Sequence, residues 1–411
     1  MFAAPLAVGA LVLAGCSGGT SSASGDGTSF SLSYAVSNDS TNAYKVLAEK
    51  YMEENPDVTI TLNEIPLDSY GQTLTTQLNA GNASDVFQAA PGTGQTYSIL
   101  TLADSGLIAP LDDAATAVIP SGSDAQFVVD GSTYGVALGV SYVGTVLNQT
   151  VADADGFTYP TTWSDLLSSC SSVSSSGKSV FALAGAAAPN TGLMALVLSA
   201  TRVYADDPSW NEERADGTVT FADSQGWKDT LQAVIDMNSA GCFQDGVAGG
   251  GFDAITNGLV QGTSYSAFVP GGSAHDLSQA APDDTFTIQS IPAEDGGTSY
   301  GISGADYALS LSSSSKNTAA ATAFLDWAAT EEGQQVFADA QGSVPVGSDL
   351  STTIYAAVAD QIDDGDVVPL PNSSWPNSSV YDALGAGVQG LLTGQMTIDQ
   401  VLASMDTAWN G

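Results

Sequence analysis

Basic side chains are nearly missing from this 411-residue chain. Seven Lys and Arg stand against 45 Asp and Glu, for a formal net charge of -38. Such a surface repels nucleic-acid phosphates and anionic head groups, so nucleic acid is excluded as a partner and a highly anionic ligand is disfavoured. Histidine is down to one residue, His275. HExxH is therefore impossible. A Ser-His-Asp triad would have to use His275, and no G-x-S-x-G elbow accompanies it. The three cysteines, Cys16, Cys170 and Cys242, form neither a CxxC pair nor a zinc-like cluster, so no metal is expected. No uninterrupted apolar run after the start reaches the ~18 residues of a transmembrane candidate.

Other partial motifs fail on inspection. Gly177-Lys178-Ser179 has the tail of a phosphate loop, but Ser172 stands where Gly is required. Ser313-Ser314-Ser315-Lys316 satisfies S-x-x-K without the companion S-D-N and K-T-G elements. Asp363-Asp364-Gly365-Asp366 lacks the spacing of an EF-hand loop and reads as a solvated acidic turn. No carboxylate pair stands out as a catalytic dyad among so many acids.

What is present begins with MFAAPLAVGALVLAGC. Its apolar core is too short to span a bilayer and fits a signal peptide over residues 1–15. Leu13-Ala14-Gly15-Cys16 resembles a bacterial lipobox, in which the cysteine is lipidated and becomes the first mature residue. No Lys or Arg precedes the core, a departure that suggests a start somewhat further upstream. The Ser/Gly-rich residues that follow, to 29, read as a tether with a reach of ~20 Å.

The remaining chain is longer than one core usually fills, which predicts two lobes. A hydrophobic share of 43% supports a folded globule. Cys170 and Cys242 suggest one disulfide in an exported chain, with two buried thiols as the alternative.

Periodicity predicts strands at 30–36, 58–62, 85–89 and 179–185. A capped helix is expected within 37–56, stopped by Pro56, with further helices over 69–81, after Thr162, and over 191–204, 224–240 and 317–329. The final helix carries a capping box, Thr397 with Gln400, and an apolar stripe of Ile398, Val401, Leu402, Met405 and Trp409. Strands alternating with helices imply an α/β protein with a largely parallel sheet.

The segment AYKVLAEKYMEENPDVTITLNEIPLDSYGQTLTTQLNAGNASDVFQA resembles the opening of bacterial extracellular solute-binding proteins of carbohydrate importers, the maltodextrin-binding-protein-like family. FLDWAATEEGQQVFADAQGSVPV, TWSDLLSSCSSVSSSGKSVFALAG and LLTGQMTIDQVLASMDTAW fit the same family in the same order. The resemblance implies a two-lobe α/β fold with hinge strands and a ligand cleft between the lobes. Transferred by segment order, lobe one is 30–138 plus 304–347 and lobe two is 139–303 plus 348–411. It also implies a non-enzymatic, monomeric capture protein with no cofactor. The chain would be lipid-anchored outside the cytoplasmic membrane, or in the periplasm of a double-membrane cell. It would deliver a mono- or oligosaccharide to the permease subunits of an ABC importer. The same scaffold binding a polyol or amino compound is an alternative, and a secreted glycoside hydrolase or a surface adhesin are readings of other classes.

A sugar site needs aromatic platforms for C–H faces and polar side chains for hydroxyls. Trp375, in PNSSWPNSS, is the first candidate platform, with Asn377 beside it as a hydroxyl partner. The alternative for Trp375 is pinning its loop to the lobe. Asn38 and Asp39 follow the first strand and serve either ligand or helix cap. Gln88 and Gly92 follow the third strand, and Ser141 and Tyr142 flank the first crossing, where Tyr142 is equally a core residue. Asn190 sits in APNT, with a turn role as its alternative, and Gly271 lies where relatives often place an aromatic, near His275. Tyr34 ends the first strand as platform or packing.

Overall fold

The computed structural model describes residues 28–36, 42–120, 123–305 and 308–411. Residues 1–27, with Cys16 and most of the signal and tether segments, and Asn38 and Asp39 lie outside the described residues. The tether expected to run to 29 gives way earlier, because Ser29 already pairs with Thr59 in the first strand.

The strand Ser29–Val36 is central to a six-stranded sheet. It pairs in parallel with Thr59–Pro66 along its whole length, from Ser29 opposite Thr59 to Val36 opposite Pro66. On its other side Leu32 lies opposite Val86 in the strand Val86–Ala89. Ala308–Ser312 then joins antiparallel to Val86–Ala89. The chain therefore leaves this sheet and returns to complete it.

Local chemistry fixes the helices between these strands. Asn42 caps Ala43–Glu54 by accepting from Tyr44 N and Lys45 N, and Pro56 follows just beyond its end. Tyr44, Leu47, Ala48 and Tyr51 form the buried face. They pack with Phe324, Leu325 and Phe337, brought by the returning helices Thr318–Ala328 and Glu331–Gln341.

A second sheet has the order Ser179–Ala182, Ser264–Ala267, Thr145–Asn148, Phe286–Gln289. Its first two strands are parallel, and Thr145–Asn148 runs antiparallel to both neighbours. The helices Trp163–Ser174, Ala188–Ser199, Gln225–Ser239, Ser379–Leu392 and Ile398–Trp409 share its large core. The expected final capping box is formed, Thr397 with Gln400. The helix expected over 191–204 instead ends at Ser199 and continues as a π-helical turn, Ala200–Tyr204. Cys170 and Cys242 are disulfide-bonded with Cα atoms 4.5 Å apart, tying the helix Trp163–Ser174 to the segment after Ser239.

The chain passes between the two sheets three times, and the passages pair with each other. Ser141–Val143 runs antiparallel to Gly301–Gly304, which also pairs with Val367–Val368. Val140 and Val344 exchange backbone hydrogen bonds of 2.6 and 3.1 Å. Buried Gln334 braces this junction, donating to Ala137 O and Ala328 O and accepting from Gly139 N. The result is a two-lobe α/β fold whose lobes meet at a narrow, paired hinge.

Candidate functional site at the lobe junction

In open α/β sheets, ligands bind beyond the carboxyl ends of the strands. Here both sets of strand ends abut the crossings. In the first lobe, the loop after Val86–Ala89 reaches the turn Pro371–Ser374. In the second, the loop after Ser264–Ala267 donates from Gly271 N to Tyr142 O in the crossing strand.

A cavity of ≈ 100 Å³ lies at this junction. The first lobe contributes Ala90, Pro91, Gly94, Gln95, Ser98 and Gln126 to its wall. The crossings contribute Ser141, Val143, Ile302, Gly304 and Ala305. Leu370, Asn372 and Ser373 close it from the second lobe. Its walls mix apolar surface with hydroxyl and amide groups and carry no ionisable side chain. That chemistry suits a neutral, hydroxylated solute. Asn372 Oδ1 is buried here without a hydrogen-bond partner among the described residues. An orphan acceptor of this kind is costly unless something donates to it. Among the described residues no cluster of His, Cys, Asp or Glu could hold a metal ion.

Most of the positions expected from sequence to touch ligand are held in contacts within the protein, and of them Ser141 alone is in the cavity lining. Trp375 is corrected from platform to core, being 0% exposed. Its ring packs edge-on against Phe221 at 5.7 Å and lies 6.1 Å from Trp227. Its Nε1 donates to Asn211 Oδ1 at 3.2 Å. A fully buried indole with its N–H bonded has no surface left for a sugar.

Asn190 is likewise structural. It accepts from Ala184 N and donates to Phe268 O, clamping the ends of two strands together. Asn377 accepts from Ser379 N at the start of a helix and donates to Ala408 O. Tyr34 is buried and donates to Glu64 Oε1 at 3.1 Å, and burial raises its pKa above the ordinary tyrosine value. Tyr142 is also buried, donates to Gln361 Oε1, and has its pKa raised by the same desolvation. Gly271 leaves room for the Tyr355 ring rather than for an open subsite. Gln88 accepts from Ala35 N, bracing two neighbouring strand ends. Ser141 lines the cavity, and Gly92 touches the Ser373 backbone at its edge.

Sequence reasoning missed Gln126 and Asn372, which line the cavity, and two exposed apolar side chains outside that lining. Phe252 is 57% exposed and Leu67 54% exposed, the large apolar side chains left open among the described residues. Each starts a helix beside the carboxyl end of a strand. Leu67 follows Thr59–Pro66 directly. The segment before Phe252 is tied to the end of Ser179–Ala182 by Gln244, bonded to Leu183 N and O, and by Ala186 N donating to Gly250 O. A signal for Phe252 was available in principle: an aromatic directly after three glycines, Gly249–Gly251, at a helix start.

The model for bacterial extracellular solute-binding proteins matches residues 35–335. The chain belongs to that family. A putative binding protein of Brucella abortus is 22% identical over 327 residues, covering 76% of this chain and 74% of that protein. Among solved structures, the solute-binding protein RafE in complex with raffinose superposes with a TM-score of 0.74 at 18% identity, covering 92% of this chain and 98% of that one. A sugar transporter from Bacillus licheniformis in complex with stachyose gives a TM-score of 0.72 at 17% identity, covering 92% and 98%. These likenesses are to the two-lobe fold of substrate-binding proteins.

Proposed function

We propose that this chain is the substrate-capture lipoprotein of an ABC-type sugar importer, closing its lobes on a neutral mono- or oligosaccharide at the junction. The observation that carries the reading is the junction cavity, lined by hydroxyl and amide groups with the buried acceptor Asn372 Oδ1. The binding of raffinose and stachyose by proteins of this fold supports it. The net charge of -38 agrees with a neutral ligand rather than an anionic one.

In this reading the lobes are 30–138 plus 304–347 and 139–303 plus 348–411, and Cys16 carries the lipid anchor. Residues 16–27 tether a monomer to the outer face of the membrane, where it meets the permease subunits. Ligand contacting both lobes stabilises the closed arrangement because only there are both sets of contacts made. Gln126, Ser141 and Asn372 meet hydroxyls at the cavity, and the exposed ring of Phe252, outside the cavity lining, is the candidate platform for a pyranose face in place of Trp375. No group at the cavity is placed for hydrolysis, so the sugar leaves unchanged.

Calorimetric titration with galactose, raffinose, stachyose and xylo-oligosaccharides, each mixture then checked for new products, tests this. Saturable binding without turnover is expected. Products would move the protein to the glycoside hydrolases, and silence across the panel would end the sugar assignment.

A further inference from the structure

The loop Ala90–Gln95 and the turn Pro371–Ser374 belong to different lobes, yet they are joined backbone to backbone. Thr93 N and Gly94 N both donate to the Ser373 carbonyl oxygen, at 2.7 and 2.9 Å. Thr93 Oγ1 also reaches that oxygen, at 3.3 Å. Gln126 Nε2 donates to Ser373 Oγ at 2.7 Å, and Gln126 O accepts from Gly92 N at 3.0 Å.

Only glycine permits this approach. A Cβ on Gly92 would run into Ser373 O, and one on Gly94 would run into Asn372 O, both backbone atoms that cannot rotate away. Gly92 also has φ +74°, in the left-handed region that suits glycine.

The second-lobe side of the contact is held from behind. Asn211 Nδ2 donates to Pro371 O at 2.8 Å, Ser373 Oγ donates to Leu370 O at 2.7 Å, and the buried Trp375 ring anchors the end of the turn. The turn is a fixed post, and the glycine loop is the part that docks on it.

We propose that Gly92–Gly94 and Asn372–Ser373 form a latch, made by protein groups alone, that closes one edge of the cleft and does not require a solute to bridge the lobes. For its biological meaning the latch rests on the junction being the solute cleft; the contact itself needs no ligand. The ≈ 100 Å³ chamber behind it is well below the ~300–1,000 Å³ of an ordinary ligand pocket. A solute of ordinary size therefore needs the chamber to widen, and parting the glycine loop from Ser373 widens it at this edge. The fraction of time the latch is open scales the apparent affinity. The glycine pair thus decides how large a ligand this edge admits.

The test uses the full chain carrying Cys16→Ser, without sugar. Hydrogen exchange is expected to show protected amides at Thr93 and Gly94, and Gly94→Val is expected to abolish that protection and enlarge the radius of gyration in small-angle scattering. Gln126→Ala, which adds no strain, keeps the comparison sound if Gly94→Val misfolds. It is expected to lower protection of Thr93 and Gly94 by on the order of five-fold, the worth of one hydrogen bond. Unprotected amides in the ligand-free chain, or scattering identical in wild type and a folded Gly94→Val, overturn the latch. A chain that is latched but binds no sugar of the panel keeps the latch and loses the sugar reading. One that binds raffinose while Thr93 and Gly94 exchange freely does the reverse.

Discussion

The two lobes are stabilised by different means. The first relies on a sheet faced by aliphatic and tyrosine side chains, with Phe30, Tyr51 and Phe324 packed at its centre. Its main polar feature is Asp85, which accepts from Ser31 N at 2.9 Å and from Ser315 Oγ at 2.7 Å. The second lobe holds Trp163, Trp210, Trp227, Trp375 and the disulfide in one core. Both arginines of the chain are there as well. Arg202 pairs with Glu294 and lies over Trp163, and its pKa is lowered by burial despite Glu294. Arg214 pairs with Asp406 and lies over Trp409. The difference suggests a division of labour. The second lobe is cross-braced and supplies fixed posts such as the 371–374 turn, whereas the first carries the loop that must come and go.

Four experiments would break or sharpen that contrast. The largest effect is expected from Trp375→Ala, which empties the centre of the aromatic cluster. It should cost about 3–5 kcal/mol of stability by chemical denaturation. If Trp375 were instead a sugar platform, the loss would fall on affinity and leave the unfolding midpoint in place. Replacing both Cys170 and Cys242 by Ala should cost about 4 kcal/mol in the chain-entropy model, with the loss confined to the second lobe when the lobes are followed separately by hydrogen exchange.

Asp85→Asn should cost about 2 kcal/mol, this time in the first lobe. Burial alone would raise the pKa of this carboxyl, but donation from Ser315, Ser31 and Asn317 prevails and holds it below the usual aspartate range. A lowered folded-state pKa means its contribution is full above the unfolded value of ~3.9 and disappears as pH falls through the lower folded value. Acid titration of unfolding should therefore flatten in that window in the variant. The smallest structural effect is expected from Phe252→Ala. An exposed ring should change stability by no more than ~0.5 kcal/mol, while weakening whichever sugar binds by up to about ten-fold in calorimetry. A Phe252→Ala protein with unchanged sugar affinity would remove the platform.

Much of the architecture was legible in the chain because it depends on neighbours in sequence. The caps at Thr162 and Thr397 act within a few residues, and the sequence alternation over 30–36 and 58–62 carries a local period of two. The π-helical turn at Ala200–Tyr204 was not legible. Thr201, within it, both donates to Tyr300 O and accepts from Tyr300 N, partners that arrive from far along the chain.

The site was the least legible part. Trp375 reads as exposed because PNSSWPNSS is polar and irregular around it. What buries the ring is Phe221, Trp227 and Trp409, each distant in sequence. Asn190 reads as a turn residue, yet it spans to Phe268. Polar side chains have the same chemistry whether they meet a sugar or a backbone carbonyl, so composition cannot separate the two uses.

The chain by itself determined an α/β order, a composition hostile to anions, and a segment order shared with a family. These follow from periodicity, charge and local hydrogen bonding, which are properties of short stretches. Tertiary structure alone decided which aromatic faces stay open, which amides are free to meet a ligand, and that Gly92 and Gly94 stand against Ser373 and Asn372. Those outcomes depend on atoms hundreds of residues apart reaching van der Waals contact, and no local pattern encodes that distance.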